Sequence, residues 1–146
     1  MPRRQRELKL SEWDDLGDEL AGPGKPDGPE ELFASQCRAY RLPAFERQLQ
    51  FAKAAMGRRW LLDFGFRDYL LGVEIQGVVV RRIGGVLVTS GAHADVQGLR
   101  KEHEKHNAAV LLGWSILEFM PAEIKPLRAI EMTMRVLAAR GWRQQE

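Results

Sequence analysis

The chain has 146 residues, 45% hydrophobic and 29% charged, which is enough for one domain with a buried core and too apolar for a disordered segment. It carries no apolar run of membrane-span length, and the start Met1-Pro2-Arg3-Arg4 lacks the hydrophobic stretch of a secretion signal, so a cytoplasmic protein with no membrane partner is expected. Cys37 is the single cysteine, which excludes an intramolecular disulfide and disfavours a cysteine-based zinc site.

The net charge of +2 hides an uneven split. Five of the 22 basic and eight of the 20 acidic groups fall in residues 1–30, leaving that segment at −3 and residues 31–146 at +5. Arginine supplies 16 of the basic groups; this favours phosphate recognition, although coding bias produces the same enrichment.

In chain order, residues 8–20 predict a short acidic helix capped by Ser11. The Gly/Pro run over 21–29 predicts a linker, so residues 1–29 read as an acidic appendage to a domain over 30–146. Helical spacing runs from Glu30 to Tyr40, breaks at Pro43 and resumes from Ala44 to Ala55, with Gly57 as terminator. Strands are expected at 59–66 and 70–76. Residues 78–88 have the pattern of a hairpin turning at Gly84-Gly85. A helix over 97–112, a strand over 114–119 and a helix over 126–140 complete the chain. Leu127, Ile130, Met134 and Leu137 share one face of that last helix, and the tryptophans 13, 60, 114 and 142 are core candidates. The order ααβββαβα predicts an α/β domain with a mixed central β-sheet flanked by helices.

The chemistry concentrates in the first two strands. Asp63 and Glu74 stand among apolar residues, where ionised carboxylates are costly unless paired. A salt bridge to Arg59 or Arg67 is one solution. A divalent cation is another, held by both carboxylates and the backbone carbonyl of Ile75, and such a site hydrolyses phosphodiesters. Strand alternation puts Gln76 on the face of Glu74. Glu46, expected on the 44–55 helix, is a third candidate carboxylate. Arg81 and Arg82 in the β-rich segment either meet a phosphate backbone or guard a sheet edge. Lys101 and Lys105, four apart on the 97–112 helix, fit a DNA-facing surface and equally a solvated one. His103 and His106 are a weak transition-metal pair.

Asp63…Glu74-x-Gln76 across two strands resembles the PD-(D/E)XK nuclease superfamily. The ordered pieces around it are similar to the branch related to very-short-patch-repair endonucleases, small stand-alone proteins of bacteria and phages. They are Leu42-Pro43 with Phe45-Glu46-Arg47, Arg59-Trp60 with Asp63-Phe64, Val73-Glu74-Ile75-x-Gly77, His93, Glu104-Lys105-x-Asn107-Ala108-Ala109, and Leu112-Gly113-Trp114 with Leu117-x-Phe119. The resemblance covers about residues 42–121. It implies a restriction-endonuclease-like core and an endodeoxyribonuclease using Mg²⁺, or Mn²⁺ in its place. Asp63 and Glu74 would be ligands, Glu46 the helix carboxylate, and His93, Lys105 and Asn107 contacts to the scissile phosphate or the attacking water. Gln76 departs from the superfamily lysine, and Glu102 stands where aspartate is expected; Lys105 would supply the missing cation from the next helix.

The implied partner is duplex or branched DNA. Without a separate sequence-reading module, cutting selected by DNA structure, or only weakly by sequence, is expected, in recombination or repair. One alternative is a Holliday junction resolvase, which requires a homodimer. Another is a catalytically degenerate DNA-binding or assembly protein of the same fold.

Overall fold

The computed structural model describes residues 28–76, 79–84, 86–90 and 96–145. The expected helix over 8–20, Trp13 and the first part of the linker lie outside them. Helix α1 (Pro29–Ala39) starts with Gly28 as N-cap and Pro29 at its first position, so Pro29, read above as linker, belongs to the helix. Proline suits that place because its missing N–H would have no helical partner and its φ is already helical.

Residues 44–55 correct the sequence expectation. Glu46–Leu49 forms strand β1, and only Lys53–Met56 is helical, as the single turn α2 closed by Gly57 at φ +67°. Strand β1 pairs antiparallel with β2 (Leu62–Phe66), placing Glu46 opposite Gly65 and Leu49 opposite Leu62. The helix preference of Glu-Arg-Gln-Leu is worth only tenths of a kcal/mol per residue, roughly, and yields to the ladder and to burial of Leu49.

A 3₁₀ turn at Arg67–Tyr69 reverses the chain into β3 (Leu71–Ile75), which pairs antiparallel with β2. Strands β4 (Val79–Ile83) and β5 (Val86–Ser90) form the expected hairpin, with Gly84 at φ +59° in its turn. Helix α3 (Val96–Leu111) crosses to β6 (Ser115–Phe119), parallel to β3, and α4 (Arg128–Ala139) ends the domain. The fold is α/β: a four-stranded mixed sheet, order β1-β2-β3-β6, flanked by helices. Among the described residues no helix is long and apolar enough to cross a membrane.

The two faces of the sheet differ in kind. On one, Phe64, Phe66, Leu71, Val73 and Ile75 meet Phe33 and Cys37 of α1 and Ile130 and Leu137 of α4 in the main core. Phe33 and Phe64 stand edge to face with centroids 4.9 Å apart, and Leu127 and Met134 pack on the cluster, so the predicted α4 stripe faces inward. Burial pushes the Cys37 thiol up to about 12. On the other face Gly65 and Gly72 sit opposite each other in the β2–β3 register. A Cβ at Gly65 would lie 2.1 Å from Leu49 Cδ2, and one at Gly72 would lie 2.5 Å from Leu62 Cδ1. Glycine is what lets those leucines lie across the sheet beside Phe51, Ala109 and Trp114 in a second, smaller core.

Candidate metal centre

Alternation along β3 sends Val73 and Ile75 into the main core and Glu74 to the opposite face, beneath α3. Helix α3 buries Lys105, Ala108 and Ala109 there, and the alanines leave room for close approach. Glu74 is 5% exposed and Lys105 7% exposed. The Lys105 ammonium donates a hydrogen bond to Glu74 Oε1 and forms an ion pair with it. Burial raises the Glu74 carboxyl above its usual range; Lys105 opposes that rise, and the charges of Glu102 and Asp63 add to it.

Asp63, half-buried in β2, accepts a 2.8 Å hydrogen bond from the Ile75 N–H on Oδ2. Ile75, expected to offer its carbonyl, therefore meets Asp63 through its amide. Glu74 is engaged by Lys105, and Arg67 pairs with Glu46 at 2.9 Å instead of with either site carboxylate.

Glu46 sits on strand β1 rather than on a helix, exposed and held by Arg67. A helix carboxylate does approach Asp63, but it is Glu30, in the first turn of α1. Burial and then the charge of Asp63 push the Glu30 carboxyl up, while Arg47, 3.6 Å away, pulls it down. Arg47 also bonds Glu31 at 2.9 Å and lies 4.7 Å over the Phe64 ring. Carboxylates from α1, β2 and β3 thus influence one another in sequence along this end of the sheet.

Beyond Glu74 an open cleft of about 520 Å³ is lined by Gln76, Leu99, Glu102, His103, His106, Asn107 and Glu118. The parallel register sets Glu118 of β6 opposite Glu74, and one turn of α3 separates Glu102 from His106. His106 Nε2 lies 3.0 Å from Glu118 Oε1 and 3.4 Å from Glu102 Oε2. The Gln76 amide donates to Glu74 Oε2 at 3.4 Å and to Glu118 Oε1 at 3.3 Å. Glu74, Glu102, His106 and Glu118 each present a donor atom within 4.8 Å of the others. Three carboxylates and an imidazole suit a hard or borderline divalent cation such as Mg²⁺ or Mn²⁺, so the residues fit the ion that the sequence suggests. The paired histidines read from sequence divide here: both line the cleft, but His106 reaches the carboxylates.

Of the expected nucleic-acid contacts, Asn107 lines this cleft and Lys101 is exposed on α3. Arg81 and Arg82 lie on β4 opposite Val88 and Leu87. His93 lies outside the described residues. Sequence reasoning missed Glu30 and Glu118, and gave Glu102 and His106 no joint role. The i,i+4 spacing of Glu102 and His106 was the one available signal; the others depend on strand register and on where α1 docks. No protein-family model, curated protein or solved structure matches the chain.

Proposed function

We propose that this protein is a divalent-metal-dependent DNA endonuclease. The observation that carries the reading is the meeting of Asp63, Glu74 and a buried Lys105, from two paired strands and the crossing helix, beside an open cleft whose other donors can complete a cation site. Glu74 would hold the ion with Glu102, His106 and Glu118, and Asp63, outside that group of four donors, would join it from the paired strand β2. Bound there, a divalent ion polarises a phosphoryl oxygen and lowers the pKa of an attacking water. Lys105 brings a positive charge for the phosphate. Gln76 donates a hydrogen bond that orients water or a phosphate oxygen, in the place where the resembled superfamily carries lysine. Lys101 and Asn107 extend the contact along α3, and the +5 balance of residues 31–146 suits a polyanion. Cutting directed by DNA structure, in recombination or repair, is the favoured specificity.

One observation favours a second reading. Glu74 already has a buried counter-ion in Lys105, and Gln76 lacks charge, as in a DNA-binding protein that has lost turnover. Labelled duplex, nicked, flapped and four-way-junction DNA, incubated with Mg²⁺, Mn²⁺ or EDTA, separates the two. The endonuclease cuts at least one of them with a cation and none with EDTA, and a resolvase prefers the junction. Tight binding of every substrate without cutting would leave the second reading standing.

A further inference from the structure

The Lys105–Glu74 pair has a consequence for how a cation enters. Lys105 comes from α3 with its ammonium almost wholly buried and donates to Oε1 of a carboxylate that is just as buried. Around them the charges are mostly of one sign: Asp63 and Glu102 both act on Glu74, and Glu118 faces it across the β3–β6 ladder. His106, one residue along α3 from Lys105, is held between Glu102 and Glu118. A single ammonium in such a group does the work of a cation, and a divalent ion joining Glu74 must compete with it. A lysine stem has four rotatable carbons and a compact charge, so the ammonium can leave one oxygen for another nearby without moving the helix. The adjoining cleft is lined by Gln76, Glu102, His103, His106, Asn107 and Glu118, so an anionic substrate needs a cation there to offset the carboxylates.

We infer that Lys105 is an internal counter-ion that occupies Glu74 Oε1 in the metal-free protein, yields it to the divalent cation, and is thereby turned toward the phosphate of the substrate. Lys105 is thus both a brake on cation uptake and a contact for the substrate phosphate, and turnover begins from a site whose most buried carboxylate is already paired before metal or DNA arrives. The inference rests on the nuclease reading for the identity of the substrate phosphate; its cation half stands alone.

The test is Mn²⁺ binding by calorimetry, without DNA, to wild type and to Lys105→Gln. Removing the competitor raises Mn²⁺ affinity at least about tenfold, since a buried carboxylate left without a counter-ion gains most from a new one. Cutting falls in the same variant despite the tighter binding, a split that a purely structural lysine would not give. A variant that folds only when Mn²⁺ is present supports the same conclusion. Unchanged or weaker affinity overturns it. A second measurement uses wild type alone: mass-spectrometric read-out of amine labelling at Lys105. Mn²⁺ increases labelling several-fold if the ammonium is displaced into the cleft, and unchanged or reduced labelling contradicts the inference. If neither protein binds Mn²⁺ the counter-ion role is overturned, whereas the endonuclease reading fails separately, on uncut DNA.

Discussion

The two faces of the central sheet obey different rules although they share the same strands. Phe64 and Val73 face α1 and α4 with complete burial, among aromatic and branched side chains that fill space. One position away, Gly65 and Gly72 make room for Leu49 and Leu62 of a smaller apolar core, and Glu74 meets Lys105 of α3. Burial on the first face carries no desolvation cost of charge; burial of Glu74 and Lys105 on the second costs desolvation that their pairing only partly returns. The period-two alternation of a strand lets one segment serve both ends. The comparison predicts that single substitutions separate stability from the proposed chemistry.

The largest effect expected is at the charged face. Glu74→Gln keeps an acceptor for Lys105 but loses the negative charge, and metal-dependent cutting falls at least about a hundredfold, the upper end of what supporting residues of metal sites cost. Initial rates on the best-cut DNA check this. Phe64→Ala on the apolar face reverses the pattern. It destabilises by about 3–5 kcal/mol in chemical denaturation and leaves cutting intact at temperatures where the variant stays folded. Similar losses of both properties in both variants would break the separation.

Gly65→Ala sharpens it from the other side. A methyl 2.1 Å from Leu49 Cδ2 and 3.0 Å from Leu49 Cβ forces the β1 leucine aside, for about 1–3 kcal/mol of destabilisation. A variant as stable as wild type would mean that the glycine pair is not needed for packing.

The pH dependence follows from the raised carboxyls of Glu74 and Glu30. Their protons are favoured in the folded state, so each contributes stability that is complete below 4.5 and lost as pH rises through its elevated folded value. Glu31, held low by Arg47, contributes the other way, above 4.5. Without cation, deprotonation of Glu74 and Glu30 should lower the melting temperature as pH climbs above 4.5, and added Mn²⁺ should offset more of the loss at each step because it binds the carboxylate form. Melting curves across pH with and without Mn²⁺ decide it; a Mn²⁺ increment independent of pH would contradict the assignment of Glu74. Glu46→Ala should be the mildest change, under about 1 kcal/mol with cutting retained, because its partner Arg67 is as exposed as it is.

Much of this was legible in the sequence and some could not be. The β2–β3 pairing, the hairpin turn at Gly84 and the α4 stripe follow from local periodicity and turn chemistry, and the structure has them near the expected places. Strand β1 and the place of Glu46 on it are not legible locally, because Phe45, Leu49 and Ala52 fit a helical face as well as a short strand, and only the open edge of β2 decides between them. Glu30 looks from sequence like an ordinary first-turn acid of a helix; that it lies near Asp63 is a matter of where α1 docks. Glu118 joins the site only through the β3–β6 register, which joins residues 44 positions apart. Lys105 was legible through its place in the resembled pattern, but its burial against Glu74 was not.

The most direct test of the central claim is Mg²⁺-dependent DNA cutting by Asp63→Asn, measured beside its cation-free melting temperature. Asparagine retains an oxygen to accept the 2.8 Å bond from the Ile75 amide and gives up only the charge. The account predicts a melting temperature near that of wild type and cutting reduced at least about a hundredfold. Asp63→Asn that cuts DNA like wild type, with the same cation requirement, would contradict it.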